Sequence, residues 1–487
     1  MGTATDVGDV VAGQPAAGRA NAACSTDSAP PGVASPASTC MTYTEFLDSS
    51  PMSRFLWLLL FGCVLAQTLD GFDFEATSFA LPLIIREFHI SPMQAGAIGS
   101  VTNFGLLSGA LIFAPFSDRF GRKPLFQWAL ATYSLGTFLS AIAPNYSFLL
   151  VARFIAGVGI AAEFPVAFTL LAEYAPKRLR HVFVGGGAIA YSFGWFVSAV
   201  VATAIVPTFG WRSLFWVGVA PAFVIIYVRR FIPESIRYLL QRGHVARAGV
   251  IARQLADAAG LADVALVPPQ QVQAESLGSD PRPLPRFRSF AVVIVAMGLF
   301  QLANNVQVVG FGTWLPSIFV KQGFTLTRSF TFTLIVLAVT PIGQLFGMWL
   351  QERMPRKWAM FMLSALSAFC FFGFGLAFEF KYPIAVIVAC DMGYQFFSGG
   401  VVPIVYTITS ELFPTRIRSL ASAMIIASAR IGSISGPFIL GFFLTLGTQI
   451  HQIIYYFTLP LVVAAVVVIM CLRVDARQRT LEEASGT

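Results

Sequence analysis

The length and composition of the chain exclude an ordinary soluble protein. Of its 487 residues, 56% are hydrophobic and only 11% are charged, against roughly 25% charged in a typical soluble domain. So few charges cannot cover a soluble surface, so we expect a polytopic helical membrane protein. The net charge of +8 does not indicate nucleic-acid binding, because the basic residues stand in short clusters between apolar segments.

Neither the cysteines nor the histidines predict a metal site or a disulfide framework. The six cysteines are scattered without a Cys-x-x-Cys motif, and the four histidines lie at or outside the ends of the apolar segments. No nucleophile–base arrangement and no phosphate-binding loop stands in the chain. We therefore expect no cofactor and no enzyme activity.

The first 52 residues are rich in Ala, Gly, Pro, Ser and Thr and contain no apolar run. This composition predicts a disordered cytoplasmic tail over 1–52 and not a secretory signal. Twelve apolar segments follow, each of about the 20 residues that span a bilayer. The predicted spans are 55–81, 93–117, 124–143, 147–174, 182–206, 211–232, 289–316, 326–350, 358–378, 382–411, 419–445 and 450–472.

A long hydrophilic segment divides the spans into six plus six. We predict an N-terminal half over 53–232, a linker over 233–288 with a basic amphipathic helix, a C-terminal half over 289–473 and a cytoplasmic tail over 474–487. The loops after spans 2, 4, 8 and 10 hold more Lys and Arg than the opposite loops, which places both termini and the linker in the cytoplasm. We expect a monomer in the inner membrane of a bacterium.

The two halves repeat their loop motifs in order. Asp118-Arg119-x-x-Arg122-Lys123 recurs as Glu352-Arg353-x-x-Arg356-Lys357, and Glu173-x6-Arg180 recurs as Glu411-x6-Arg418. Ordered matches across two sets of six spans indicate a parallel duplication. In such an architecture the substrate site lies at the membrane midplane, between two halves that rock against each other.

These motifs resemble those of the major facilitator superfamily. The loop over 114–123, APFSDRFGRK, resembles the signature loop of the superfamily, with Ala114 where Gly is usual. Residues 233–248 resemble the segment after the sixth span of sugar porters. The motif Arg153-x-x-x-Gly157 in span 4 also fits the resemblance to the superfamily. The resemblance implies an all-α fold of twelve transmembrane helices in two pseudo-symmetric halves, and transport by alternating access.

Two further motifs narrow the resemblance to particular branches. Asp70-Gly71-Phe72-Asp73 is similar to the paired-Asp motif of aromatic-acid and metabolite proton symporters, and 162–165, AEFP, to an element of phosphate and metabolite symporters. This likeness implies proton-coupled uptake of a small organic metabolite, with an organic or aromatic acid as the first choice. Sugar or phosphate symport, drug–proton antiport and a transporter-like nutrient receptor remain alternatives.

Charged residues inside the spans are the candidates for proton coupling, because a charge at the bilayer centre costs about 2.5–3.5 kcal/mol and needs a partner or a wet cavity. An α-helix rises 1.5 Å per residue. By this measure Asp73 or Asp70 in the first span lies at about the same membrane depth as Arg153 in the fourth span. Glu163 stands in an apolar stretch, where burial disfavours the charged form of a carboxyl group. With no histidine inside a span, we predict that Asp70, Asp73 and Glu163, together with Arg153, handle the proton.

The substrate is predicted to lie mainly against the C-terminal half. An amide cluster in span 7 resembles the substrate-binding helix of sugar porters, and amides offer both donors and acceptors without a charge. Two charged residues and four aromatic residues inside other spans complete the candidate set. The candidates are Gln301, Asn304, Asn305, Gln307, Asp391, Arg430, Tyr191, Trp195, Trp314 and Tyr394.

Acidic and basic residues at the cytoplasmic span ends are predicted to form a gate. By resemblance to the superfamily, they make salt bridges between helices that hold the cytoplasmic side shut. These residues are Asp118, Arg119, Arg122, Glu173, Arg180, Glu234, Arg237, Glu352, Arg353, Glu411 and Arg418.

Overall fold

The computed structural model describes residues 40–261, 265–267, 287–413 and 415–471, and these form helices apart from one pair of short strands. The first part of the chain comprises β1 (Cys40–Thr42), α1 (Tyr43–Ser49), α2 (Arg54–Phe88), α3 (Pro92–Phe120), α4 (Arg122–Ala141), α5 (Tyr146–Tyr174), α6 (Arg180–Phe209), α7 (Arg212–Gly218) and α8 (Pro221–Phe231). The linker contributes α9 (Ile236–Gln241), α10 (Val245–Ala258) and β2 (Ala265–Val267). The last part comprises α11 (Phe287–Lys321), α12 (Leu326–Ala338), α13 (Thr340–Arg353), α14 (Arg356–Glu379), α15 (Ile384–Leu412), α16 (Thr415–Thr445) and α17 (Ile450–Cys471).

Eleven helical segments among the described residues are long and apolar enough to cross a membrane. Two of the predicted spans are each broken into a pair of helices, α7 with α8 and α12 with α13. The second helix of each pair has a proline in its first turn, Pro221 in α8 and Pro341 in α13. A proline lacks the backbone N–H that a continuous helix would use. The predicted third span is α4, a helix with a more polar composition that packs against α5 and α8 and completes the set of twelve.

Among the described residues, the two halves share a hydrophobic core at one end of the molecule. We call the end that carries α9 and α10 the linker end and the opposite end the far end. At the far end one cluster combines residues of both halves, and the rings of Phe79 and Phe330 meet across it at 5.2 Å. At the linker end one cluster is built from residues 43–256 and another from residues 294–468. The halves therefore touch through apolar side chains at the far end and have separate cores at the linker end.

Two glycines bring α2 and α6 into backbone contact. A Cβ at Gly71 would collide with the carbonyl oxygen of Tyr191, and a Cβ at Gly194 would collide with the carbonyl oxygen of Thr68. Small residues permit such close approach between helices in a membrane. As a result α2 and α6 form one unit.

The prediction of a disordered tail over 1–52 is wrong for residues 40–50, which we call the N-terminal strap. Helix α1 starts with a capping box between Thr42 and Glu45, and Phe46 and Leu47 are 2% and 3% exposed. Strand β1 pairs in parallel with β2 of the linker. The strap folds because its apolar residues recur on one helix face, a pattern that the polar composition of the whole tail conceals. Residues 1–39 lie outside the described part of the chain.

Polar contacts also fasten the strap to the N-terminal half. The backbone N–H of Lys177 donates to the carbonyl oxygen of Asp48 at 3.0 Å, and Arg237 Nη2 lies 3.1 Å from Asp48 Oδ1. The strap thus joins the loop after α5 to the linker helices. The single amphipathic helix predicted in the linker is two helices, α9 and α10, separated by Gly243, which has a positive φ of 74°.

Candidate functional site

A cavity of about 220 Å³ lies between the two halves. Helices α2, α3, α5 and α6 line one side of it, and α11, α13, α15 and α16 line the other. Its polar and aromatic lining comprises Phe74, Asn103, Tyr191, Ser192, Trp195, Gln301, Asn304, Asn305, Thr340, Gln344, Gln395, Ser398, Tyr406, Arg430 and Ser433. The cavity is therefore amphipathic and is shared by both halves.

Six of the predicted substrate residues line this cavity: Gln301, Asn304, Asn305, Arg430, Tyr191 and Trp195. Arg430 brings a guanidinium group to it and makes no ion pair with any described side chain. The cavity thus offers one cation, a row of amides and aromatic rings.

The other four predicted substrate residues do not reach the cavity, and their assignment is corrected here. Trp314 lies in the far-end core and donates its indole N–H to the carbonyl oxygen of Pro437 at 3.1 Å. Tyr394 packs on the ring of Phe371 at 4.7 Å. Gln307 and Asp391 are fully buried elsewhere in the helix bundle. Sequence position gives the depth of each residue, but the rotation of its helix decides which side it faces.

Sequence reasoning missed several residues that line the cavity. Phe74 packs with Trp195 at a centroid distance of 6.3 Å, and Tyr191 meets Trp195 at 5.8 Å, so the three rings form an aromatic wall. Asn103, Gln344 and Gln395 are amides in apolar helices, and each stands several residues away from any other amide of its helix. An isolated amide inside a predicted span is a usable signal, because a polar group at that depth needs a partner.

Asp73 and Arg153 form an ion pair in which both side chains are 0% exposed. Arg153 Nη2 lies 2.8 Å from Asp73 Oδ2, and Nη1 lies 3.2 Å from Oδ1. Thr137 donates a further hydrogen bond to Asp73 Oδ1 at 3.0 Å, and the guanidinium lies 5.2 Å from the ring centroid of Phe215. A buried charge pair is tolerated when its geometry and remaining hydrogen bonds are satisfied, as here.

Asp70 and Glu163 form a second carboxyl site, on α2 and α5. Both side chains are 0% exposed. The carboxyl group of Asp70 lies next to that of Glu163, which in turn lies beside the amide of Gln67. Within the described part of the chain, none of these three groups meets the distance and angle of a hydrogen bond, and no cation neutralises them. The sequence left Asp73 and Asp70 as alternative partners of Arg153; the structure pairs Arg153 with Asp73 and places Asp70 beside Glu163.

The contacts described for the predicted gate residues lie within one half or the other. Arg122 Nε lies 3.7 Å from Glu173 Oε1, and Glu234 accepts hydrogen bonds from the backbone N–H groups of Arg122 at 2.9 Å and Lys123 at 3.3 Å. Arg237 contacts the N-terminal strap. Arg119 and Arg353 lie over the neighbouring rings of Phe120 and Trp349. The side chains of Asp118, Arg180, Glu411 and Arg418 lie outside the described set.

Two helical halves around a shared polar cavity define the class of secondary transporters that work by alternating access. Residues 50–486 match the family described as "Sugar (and other) transporter". The chain therefore belongs to this family of the major facilitator superfamily, and the prediction of a transporter with this fold is confirmed.

Curated relatives and solved structures agree with this assignment. The chain is 32% identical to the niacin transporter NiaP of Acinetobacter baylyi, over 91% of this chain and 99% of that protein. It is 28% identical to the 4-hydroxybenzoate transporter PcaK of Pseudomonas aeruginosa, over 89% and 96%. A partially occluded inward-open structure of the xylose transporter XylE from E. coli superimposes with a TM-score of 0.71 at 20% identity, over 88% of this chain and all of that one.

Proposed function

We propose that this protein is a proton-coupled symporter that carries a small aromatic carboxylate into the cell. The observation that carries the proposal is the cavity between the halves, where the guanidinium of Arg430 and the aromatic wall of Phe74, Tyr191 and Trp195 line the same space. The two relatives described above are, by their names, transporters of niacin and 4-hydroxybenzoate. Each of those compounds combines one ring with one carboxyl group.

The chemistry of the cavity suits such a substrate. A guanidinium group binds a carboxylate through charge-assisted hydrogen bonds, and aromatic side chains pack against a ring in stacked or edge-to-face geometry. The volume of about 220 Å³ lies below the roughly 300–1,000 Å³ of pockets for drug-sized ligands. The amides of α11 also suit a sugar, so a sugar is the second candidate substrate.

Asp70 and Glu163 are the proposed proton carriers. Two adjacent carboxyl groups without a cation cannot both stay charged in a medium of low dielectric constant, so they share a proton. Asp73 is neutralised by Arg153 and serves as the fixed partner. Because Gly71 and Gly194 join α2 to α6, the helix that carries Asp70 moves together with the helix that carries Tyr191 and Trp195. This unit links proton loading to the substrate site.

The proposed orientation places the linker end in the cytoplasm of a bacterial cell, with the protein in the inner membrane. Its support is the excess of Lys and Arg in the loops at that end. Since the halves share a core at the far end and have separate cores at the linker end, the structure corresponds to an inward-facing state. We propose the same domain limits as the sequence predicts, 53–232, 233–288 and 289–473.

Replacing Glu163 tests the mechanism. In proteoliposomes with an inward proton gradient, Glu163→Gln is expected to abolish accumulation of a labelled aromatic acid and to spare exchange of substrate down its own gradient. Glu75→Gln is the matched control, because Glu75 is also a buried carboxyl on α2 but belongs to neither carboxyl site. Unchanged accumulation in Glu163→Gln would remove Glu163 from the mechanism. Accumulation of xylose instead of aromatic acids would favour the sugar candidate.

A further inference from the structure

A hydrogen bond runs from the C-terminal half to the N-terminal half inside the cavity. Gln344 Nε2 on α13 donates to Ser192 Oγ on α6 at 2.7 Å. Both residues line the cavity, and Ser192 and Gln344 are only 2% and 7% exposed. Ser192 adjoins Tyr191 of the aromatic wall, so this amide lies where the proposed ring would bind.

The other arm of the same amide has no protein partner. Gln344 Oε1 is buried and accepts no hydrogen bond from any described residue. Asn103 repeats the arrangement on the opposite side, because its Nδ2 donates to the carbonyl oxygen of Gly99 at 3.0 Å while its Oδ1 has no described partner. In both side chains the NH2 group donates a hydrogen bond, and the oxygen accepts none from a described residue. An amide oxygen can only accept a hydrogen bond, so two of the side chains that line the cavity each carry a buried acceptor without a described partner.

The backbone around Gln344 is held firmly. A Cβ at Gly343 would collide with the carbonyl oxygen of Phe396, and a Cβ at Gly347 would collide with that of Gly400, so α13 is packed directly on α15. On the other half, Gly194 fixes α6 against α2. The Gln344 oxygen is thus an acceptor on a rigid support, which is the arrangement that gives a binding site its selectivity.

We propose that Gln344 is a specificity-determining residue that accepts a hydrogen bond from a donor on the substrate ring, with Asn103 as a second acceptor. The preferred cargo is then a hydroxylated aromatic carboxylate. This proposal rests on the proposed function, and it adds a requirement that a ring and a carboxylate alone do not impose.

The selectivity arises from the acceptor that an unsubstituted ring would leave unpaired. A ring hydroxyl group that reaches Gln344 Oε1 supplies the hydrogen bond that this buried acceptor lacks, whereas a C–H edge leaves the acceptor unpaired. Sites built to bind a hydroxyl group discriminate strongly against analogues that lack it. Because this cavity also has room for water, we expect a preference of about tenfold rather than the roughly 10⁴-fold of fully enclosed sites.

The test compares two probes that differ by one hydroxyl group. In proteoliposomes of the full-length protein, unlabelled benzoate and 4-hydroxybenzoate compete with uptake of labelled 4-hydroxybenzoate, and the ratio of their half-inhibitory concentrations is measured. The wild-type ratio is expected to be about ten in favour of the hydroxylated acid. Gln344→Leu should bring the ratio close to one, because it should weaken the binding of 4-hydroxybenzoate. Gln351→Leu makes the same change two turns along α13, outside the cavity lining, and should keep the wild-type ratio.

The outcomes separate this proposal from the function on which it rests. A wild-type ratio near one with normal uptake, or a ratio that survives Gln344→Leu, would overturn the role of Gln344 and leave aromatic-acid transport standing. Absence of uptake and of competition for both acids would overturn both. If Gln344→Leu fails to fold, Gln344→Met fills the same space with an unbranched chain that also lacks an amide oxygen, and it must give the same loss of preference.

Discussion

Arg153 is a fully buried cation that depends on a single carboxylate. Removing one member of a buried pair leaves the other charge uncompensated, at a cost of about 3–5 kcal/mol. We therefore expect Arg153→Met to lower the melting temperature in detergent strongly, and the double variant Asp73→Asn/Arg153→Met to recover part of the loss. Arg212 at the far end pairs with Glu87 while the two side chains stay 34% and 42% exposed, so Arg212→Met should have a smaller effect. A double variant less stable than Arg153→Met alone would contradict this account.

The sequence allowed some of these residue contacts to be predicted and not others. Depth alone brings either Asp73 or Asp70 to the level of Arg153, because a helix rises 1.5 Å per residue, but it does not choose between them. The contact of Asp70 with Glu163 depends on how α2 and α5 are rotated, which spacing does not give. Gln344 was missed because a single amide in an apolar segment forms no cluster and no period.

At the scale of elements, the N-terminal strap behaves as part of the folded body. It buries Phe46 and Leu47, each worth about 1.5–3 kcal/mol on full burial, and it pairs β1 with β2. Deleting residues 2–39 is expected to leave melting temperature and uptake unchanged. Deleting residues 2–50 should lower both, because the linker helices lose their apolar cover.

A point variant separates the strap's contacts from the length of the deletion. Phe46→Ala/Leu47→Ala in the full chain should reproduce the loss of stability seen on deleting residues 2–50. Equal melting temperatures for the two deletions would show that the strap contributes nothing. The sequence hid this element because seven helical residues within a long polar tail barely change its composition, whereas the spans, at about 20 apolar residues each, stand out clearly.

At the scale of the whole molecule, the far-end closure predicts the side from which the cavity can be reached. Met93 N–H donates to Thr445 Oγ1 at 3.0 Å across the halves, and Gly96 lies against the carbonyl oxygen of Pro437. In a cysteine-free background, Val309→Cys in the cavity lining should react with a membrane-impermeant thiol reagent from the linker end only. Adding Gly96→Val should wedge the far end apart and allow labelling from that end.

Labelling of Val309→Cys that is equally fast from both ends, without the Gly96 change, would contradict this closure.

The number of helices and the internal duplication could be predicted from the sequence, because the length of the apolar segments and the repeated loop motifs can be read from it directly. The closure at the far end could not be predicted, since one sequence must serve states open to either side of the membrane and favours neither by its pattern alone.

The pairing of β1 with β2 also fixes an order of events during biosynthesis. Cys40 leaves the ribosome early, yet its partner Ala265 follows 225 residues later, after α2 to α8 have been made. At about 5–20 residues per second, the first strand waits at least ten seconds or so for its partner. The strand pair can close only once the linker has emerged behind the first six spans, so it cannot form before the N-terminal half has been made.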